Sequence, residues 1–269
     1  MHLRTWLCDP ATCIGGRRVM RSVFITGTDT EIGKTEVTCA LLRALTERGV
    51  RVLPMKPVAS GADQCVDGQL TNEDVERLRA AVPLDLPATD INQYLLRRAA
   101  APEFCAAEEG ITIDPALCVR AFEVLRPRAE GILVEGVGGW MVPLSTSHDL
   151  ADLVRALKLP VVLVVGLKLG CINHARLTAR AIVEDGLTLL GWVSNQCDPD
   201  YADVAETIDA LATRLSVPHL GHVAWRPPPT GHVAHPITRP EASAVDLLIK
   251  SRPSQYATDL GGLLEALLN

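Results

Sequence analysis

The chain has 269 residues, enough to bury a sizeable hydrophobic core, and this length alone leaves one or two domains open. Hydrophobic residues make up 48% of the sequence and charged residues 22%, which is typical of an ordinary globular protein. The formal net charge is -6 and the sequence has no Lys/Arg run. A nucleic-acid partner is therefore disfavoured, because a phosphate backbone is bound by a basic face.

The sequence also argues against membrane insertion and secretion. The longest apolar run, residues 159–167, has the length of a strand and contains a proline and a glycine, so we expect no membrane segment. The eight cysteines form no Cys-x-x-Cys pair, which is typical of reduced thiols in a cytoplasmic protein.

Residues 1–19 lack the continuous apolar stretch of a secretory signal. We expect them to be a flexible N-terminal extension, or a start assigned too early, with Met20 as the alternative start. An alternative interpretation is an organelle-targeting leader, which three arginines favour. Asp9 and the lack of a clear amphipathic helix argue against this interpretation.

Short apolar runs alternate with stretches of helical spacing along the chain. In chain order, strands are predicted near residues 22–25, 50–55, 131–135, 161–165, 187–194 and 220–224. Helices are predicted near residues 34–48, 72–81, 115–125, 150–157, 172–184 and 202–215, with two terminal candidates at 242–250 and 260–268. Residues 226–240 contain five prolines and are predicted to be a loop.

The order of these elements predicts the fold class. Continuous Val/Ile/Leu strands separated by helices indicate a parallel sheet covered on both faces. We therefore predict an α/β, doubly wound, mostly parallel sheet in a single domain at residues 20–269. Ligands of such folds gather at the carboxyl ends of the strands.

The first predicted strand ends in the loop GTDTEIGKT, residues 27–35. It resembles a phosphate-binding P-loop, but five residues (28–32) separate its two glycines where the usual pattern has four. In such a loop the backbone N–H groups and the helix dipole bind phosphate, Lys34 reaches the terminal phosphates and the Thr35 hydroxyl binds Mg²⁺. The structural alternative is a glycine-rich turn.

Other strand ends carry charged residues. Lys56 follows the second strand, and Glu135 ends the third, just before a glycine-rich stretch. A carboxylate in that position is typical of a Walker-B acid that meets Mg²⁺. Asp74 lies at a predicted helix start. Each has a structural alternative. Lys56 would be a solvated surface lysine, and the glycines after Glu135 would serve only the backbone of a turn. Asp74 would be an acid that stabilises a helix N-terminus.

Five motifs occur in order: GTDTEIGKT, KPVASG, VEGVGGW, VVGLKLGCINHA and GWVSN. Together they resemble the dethiobiotin synthetases of biotin biosynthesis over roughly residues 22–225, and that family has the longer phosphate loop. The resemblance implies a homodimeric, P-loop NTPase-like enzyme. It implies a cyclo-ligase that converts 7,8-diaminopelargonate, CO₂ and ATP to dethiobiotin, ADP and phosphate with Mg²⁺.

The resemblance also implies roles for individual residues. Catalysis is assigned to Lys34, Lys56 and Thr30, with the two lysines flanking the γ-phosphate and the carbamate. Mg²⁺ is assigned to Thr35, Asp74 and Glu135, and a diamine contact to Ser60. The nucleotide contacts that it implies are Glu31, Ile32, Gly33, Lys34, Thr35, Asp74, Glu135, Gly136, Val137, Gly138, Asn195, Ala224 and Trp225. Among these, Asn195 is expected to read adenine, since an amide donates once and accepts once.

The segment Gly170, Cys171, Ile172 and Asn173 stands between a strand and a helix, where free N–H groups can hold a carboxylate. The resemblance implies that it reaches the diamine of the partner subunit, and its structural alternative is an ordinary connector. The chain departs from many relatives at residues 101–103, Ala-Pro-Glu in place of Ser-Pro-His, and at Ala224, where a proline is common.

Two other ATPase classes have similar loops. Amidotransferases of the cobyric acid synthase type carry a glutaminase domain after the ATPase half, for which we expect this chain to be too short. Switch ATPases of the ParA/MinD type carry a second lysine near the start of the loop, where this chain has Asp29. Many of them bind DNA or membranes through basic surfaces, and residues 259–269 contain no Lys or Arg.

Overall fold

A computed structural model describes residues 20–64, 70–225 and 260–268. The described part of the chain forms a six-stranded sheet. Its strands are β1 (Val23–Gly27), β2 (Val52–Met55), β7 (Gly131–Glu135), β8 (Val161–Gly166), β9 (Leu189–Asn195) and β10 (His219–Val223). They lie in the order β2-β7-β1-β8-β9-β10, and every pairing is parallel. The predicted doubly wound, parallel α/β fold is confirmed.

Nine α-helices cover or flank this sheet in the described residues. They are α1 (Lys34–Glu47), α2 (Glu73–Ala80), α3 (Ala88–Ile91), α4 (Pro102–Glu108), α5 (Pro115–Leu125), α6 (Leu150–Leu157), α7 (Cys171–Glu184), α8 (Val204–Ala212) and α9 (Gly261–Leu268). A short 3₁₀ turn, Arg126–Arg128, follows α5. No described helix has the length and apolarity needed to cross a bilayer.

The burial pattern explains why these strands were predictable. All residues of β1, β7 and β8 are buried, as expected for strands covered on both faces. Pro54 lies in β2, which is an edge strand, so its missing N–H breaks no pairing inside the sheet. Helix α9 packs on the opposite edge, where Gly262 approaches the backbone of Leu220.

Two small sheets were not predicted. Strand β3 (Val58–Ser60) pairs in parallel with β6 (Tyr94–Leu96), and β4 (Asp63–Gln64) pairs antiparallel with β5 (Leu70–Thr71). The first of them continues the chain from Lys56 and carries Ser60 at its end. Helix α4 begins at Pro102, inside the Ala-Pro-Glu departure.

Several predictions lie outside the described residues, namely the N-terminal extension 1–19, the loop 226–240 and the helix 242–250. The terminal helix predicted at 260–268 is confirmed as α9. Met20, the alternative start, is buried and packs below Gly131. The described cysteines at 39, 105, 118, 171 and 197 are all free thiols.

Candidate functional site

The loop between β1 and α1 takes an unusual path around its extra residue. Glu31 has φ 58° and Gly33 has φ 82°, both in the left-handed region. For Glu31 this conformation costs about 1–2 kcal/mol, since its Cβ crowds the backbone. No described side chain caps α1 at Gly33, so the first N–H groups of the helix are left for a ligand.

Lys34 is buried at the first position of α1, and its Nζ donates to the carbonyl oxygen of Asp29 at 2.8 Å. Burial and the nearby Lys56 ammonium lower the pKa of Lys34 from 10.5 to about 8. The ammonium is thus held over the loop in an environment that disfavours its charge, and a bound phosphate would relieve that cost.

Thr35, Lys56, Asp74 and Glu135 meet at the carboxyl ends of β2 and β7, and we call them the strand-end cluster. Lys56 Nζ lies 2.6 Å from Glu135 Oε1 and 3.0 Å from Asp74 Oδ2. The Thr35 hydroxyl lies 2.7 Å from Glu135 Oε1 and 2.8 Å from Asp74 Oδ1. Residues far apart in sequence are therefore brought within hydrogen-bonding distance.

The electrostatics of the cluster favour full ionisation of Lys56 and Asp74. Burial opposes the charge on Lys56, but Glu135 and Asp74 outweigh it and raise the pKa of that lysine. Burial likewise opposes the charge on Asp74, but Lys56 and the Thr35 hydrogen bond lower the pKa of this carboxyl.

One cluster atom lacks a protein partner. Glu135 is 0% exposed, and its Oε2 atom has no hydrogen-bond partner among the described residues. A buried carboxylate oxygen of this kind is costly unless something else binds it. Carboxylate and hydroxyl oxygens are the ligands that Mg²⁺ prefers, so Thr35, Asp74 and Glu135 fit the ion that the resemblance implies.

The stretch after β7 lies against the phosphate loop. Gly138 has φ 61°, and a Cβ at this position would lie 3.7 Å from Thr30 Oγ1. At Gly136 a Cβ would meet the ring of Phe24 at 2.9 Å. Glycine is favoured at position 138 by its left-handed φ and at position 136 by the nearby Phe24 ring. Thr30 stands exposed beside Gly138, and Val137 is half-buried.

Asn195, the last residue of β9, contacts the phosphate loop directly. Its Nδ2 atom donates to the carbonyl oxygen of Ile32 at 2.8 Å, and a Cβ on Gly33 would lie 2.2 Å from that nitrogen. One of its two N–H groups is thus used on the loop, which leaves the carboxamide oxygen for a nucleotide. Ala224 and Trp225 follow β10 and are exposed.

Two buried asparagines that sequence reasoning missed hold the chain around Lys56 and Ser60. Asn92 Nδ2 donates to the Lys56 carbonyl at 2.7 Å. Asn72 Nδ2 donates to the carbonyls of Ser60 at 3.3 Å and Gly61 at 2.9 Å. A helix-capping signal was readable at Asn72, just before the acidic start of α2, but no sequence signal marked Asn92.

The segment 170–173 lies apart from the cluster. Gly170, the N-cap residue just before α7, has φ 91°, and no described side chain caps the helix there. Cys171 is buried and Asn173 is exposed. No hydrogen bond or ion pair within the described residues joins this segment to the strand-end cluster. The preceding Lys168 contacts the phosphate loop, since its Nζ lies 3.0 Å from Asp29 Oδ2.

The family model described as "AAA domain" matches residues 21–232. Solved structures with a similar fold include a ParA family ATPase from Chlorobium tepidum and the cell division ATPase MinD from Pyrococcus furiosus. The first has a TM-score of 0.53 at 12% identity and covers 91% of this chain and 98% of that one. The second has a TM-score of 0.52 at 18% identity, covering 91% and 97%.

Curated relatives are much more similar in sequence. The ATP-dependent dethiobiotin synthetase of Aromatoleum aromaticum is 51% identical over 77% of this chain and 93% of its own length. That of Xanthomonas axonopodis pv. citri is 52% identical over 76% of this chain and 91% of its own length. The chain therefore belongs to the ATP-dependent dethiobiotin synthetase family and is an enzyme of the ligase class.

Proposed function

We propose that this protein closes the ureido ring of dethiobiotin from 7,8-diaminopelargonate, CO₂ and ATP. The observation that carries the proposal is the strand-end cluster beside the phosphate loop. There a buried lysine, two carboxylates and a hydroxyl converge where ligands of doubly wound folds bind. Such an arrangement suits phosphoryl transfer, which needs positioning and charge stabilisation more than covalent help.

The reaction would run in three steps. One amine of the diamine adds to CO₂ and loses a proton, giving a carbamate. A carbamate oxygen then attacks the γ-phosphorus of ATP, ADP leaves, and a carbamic–phosphoric anhydride forms. The second amine attacks the carbonyl carbon of the anhydride, the ring closes, and phosphate leaves with its bonding electrons while the amine loses a proton.

The two lysines would stabilise the charge that develops in these steps. Lys34 and Lys56 lie close enough for the Lys56 charge to help lower the pKa of Lys34, so both fit a role beside the γ-phosphate and the carbamate. Thr30, exposed next to Gly138, would donate a hydrogen bond to the same group. The N–H groups of residues 31–35 and 136–138 would surround the phosphates.

Mg²⁺ would be held by Thr35, Asp74 and Glu135, with the unpartnered Glu135 Oε2 as one of its oxygens. When bound, the ion would neutralise phosphate charge during transfer. Lys56 Nζ now uses the same carboxylates, so it would share them with the ion.

The adenine base would lie on the β9 and β10 side of the site. The free Asn195 carboxamide oxygen would accept from the base, and the exposed Ala224 and Trp225 would flank it. Ser60, whose Oγ is buried without a described partner, would contact the diamine.

The diamine carboxylate would bind residues 170–173 of a second subunit, which makes the active form a homodimer. Leu169, next to this segment, is 93% exposed, and Leu177 and Val183 of α7 are exposed as well. Large apolar side chains that are this exposed favour a contact surface.

A switch ATPase of the ParA/MinD type has less support. Its members are similar in fold, at 12% and 18% identity, which carries no argument about activity. The loop position where those ATPases carry a lysine is Asp29, which here accepts hydrogen bonds from Thr30 and Lys168. The similarity to synthetases over three quarters of the chain also favours the ring-closing reaction over an amidotransferase.

The test is a turnover assay with the purified protein, ¹⁴C-labelled bicarbonate, Mg²⁺, ATP and 7,8-diaminopelargonate. We expect label in an acid-stable cyclic product, one ADP per ring, and no product without ATP. ATP hydrolysis that proceeds equally without the diamine, with no stable label, would overturn the ring-closing reaction while leaving the fold unaffected.

A further inference from the structure

Asn72 joins two pieces of the site that are separate in sequence. It is 6% exposed and stands immediately before α2, whose first turn carries Asp74. On its other side lie the last residue of β3, Ser60, and Gly61. The carboxamide therefore joins the segment that carries the residue proposed to contact the diamine to the start of the helix that carries Asp74.

The hydrogen bonds of Asn72 go beyond those of an ordinary helix cap. Its Oδ1 accepts from the Val75 N–H at 3.3 Å, which is the capping bond. Its Nδ2 donates to two carbonyls, Gly61 at 2.9 Å and Ser60 at 3.3 Å. Ser, Thr or Asp would cap the helix equally well, but only a carboxamide combines that acceptor with two donors.

The neighbouring contacts show what these donors hold in place. Two consecutive peptide groups, Ser60–Gly61 and Gly61–Ala62, are held from both sides. Their N–H groups donate to carbonyls of residues 96–98, and their carbonyl oxygens accept from Asn72. Asp74, two residues after Asn72, contacts Lys56 and Thr35. The Ser60 hydroxyl is buried without a described partner. Asn72 thus bonds the segment that carries this hydroxyl to the start of the helix that carries Asp74.

We propose that Asn72 is a positioning residue, which ties the end of β3 to the start of α2 and so aligns the diamine with the phosphoryl-transfer cluster. The identity of the diamine rests on the proposed function, whereas the hydrogen bonds by which Asn72 joins β3 to α2 do not. Asn72 touches no reacting group and acts through Ser60 and Asp74.

Two variants separate the role of Asn72 in holding the Ser60 and Gly61 carbonyls from its role as the cap of α2. Asn72→Ser keeps a capping oxygen but loses both donors, and Asn72→Ala loses all three bonds. We expect both to raise the KM for the diamine by about tenfold, because each loses the two donor bonds to the Ser60 and Gly61 carbonyls. We expect both variants to lower the melting temperature, and Asn72→Ala to lower it further because it also loses the helix cap. The matched control is Asp114→Ala, which removes the side-chain cap of α5 and should lower the melting temperature with the diamine KM unchanged.

Hydrogen–deuterium exchange of the free protein provides a readout that does not depend on turnover. Asn72→Ser should speed exchange in residues 58–62 while leaving α2 near wild type. A wild-type diamine KM in Asn72→Ser, or faster exchange confined to α2, would reduce Asn72 to a helix cap and overturn the proposal. A wild-type protein that makes no labelled ring would instead contradict the proposed function, and the exchange pattern would still decide the role of Asn72.

Discussion

The strand-end cluster and the α7 entry segment, residues 168–173, are opposite in character. In the cluster, Lys56 is 4% exposed and Glu135 is 0% exposed, and their charges pair with each other. In the α7 entry segment, Leu169 is 93% exposed, and Gly170 has no atom of another element near its Cβ position. The charged cluster is thus assembled within one chain, whereas the second region presents groups that the described residues do not cover.

The largest effect should come from removing the charge at the centre of the cluster. Lys56→Met keeps the aliphatic bulk but leaves Glu135 and Asp74 without their cation. We expect turnover to fall by about 10²–10³-fold, as when a donor to a developing charge is lost. The melting temperature should fall too, because an unpaired buried charge costs about 3–5 kcal/mol. Single-turnover rates and thermal melts measure the two effects.

Lys158→Met is the matched control for this change. Lys158 is an exposed lysine at the end of α6, and removing its charge should alter neither quantity much. A folded Lys56→Met protein with near-normal turnover would remove Lys56 from the mechanism and make the cluster a purely structural ion pair.

The next effect tests whether the phosphate loop is shaped by Asn195. Gly33 and Gly49 both have left-handed φ angles, 82° and 75°, so an alanine at either costs about 1–2 kcal/mol. Only at Gly33 would the new Cβ collide, 2.2 Å from Asn195 Nδ2, while at Gly49 no other atom lies within 4 Å. We expect Gly33→Ala to weaken ATP binding by about 10²-fold through displacement of the loop.

In calorimetric titrations Gly49→Ala should bind ATP like the wild type despite its lower stability. Equal ATP affinity in the two variants would show that the contact between Asn195 and the loop does not shape the nucleotide site.

The main sheet was predictable because each of its strands can be identified from the residues of that strand alone. Strands β1, β7 and β8 are continuous apolar runs, and the helices between them show clear spacing. Strands β3 and β6 have three residues each and exist because they pair with one another across more than thirty positions. No local pattern predicts such a pairing.

The site divides in the same way. Charged residues at strand ends, such as Lys56 and Glu135, were readable because parallel strands place their carboxyl ends at one edge. Asn72 and Asn92 were missed because each acts on main-chain carbonyls that belong to a distant segment. The local sequence shows that an asparagine is present but does not show which distant carbonyl its side chain will bind.

The third prediction concerns pH. The pKa of Lys34 is about 8 in the free protein, below its ordinary 10.5, chiefly because the group is buried. Between pH 8 and 10.5 Lys34 is neutral in the folded chain and protonated in the unfolded chain. The free energy of unfolding therefore increases as the pH rises through this range. ATP binding above pH 8 should then require a proton, and affinity should fall by up to about tenfold per pH unit.

Calorimetry in buffers of different ionisation enthalpy measures that proton uptake. Lys34→Arg carries a permanent charge, so it should show no uptake near pH 9. Uptake that is identical in the two proteins would assign the proton to another group.

The smallest effect belongs to the α7 entry segment, and it tests whether that region is incomplete alone. Gly170 and Gly186 lie at the two ends of α7 with left-handed φ angles of 91° and 78°, and a Cβ at either meets no atom within 4 Å. Within one chain, alanine should cost the same at both, about 1–2 kcal/mol of stability. If a second subunit brings the diamine carboxylate to Gly170, only Gly170→Ala should also raise the diamine KM, by roughly fivefold for about 1 kcal/mol of lost binding. Equal diamine KM values for the two variants, together with full activity in a monomer by sedimentation, would show that the exposed segment serves the fold alone.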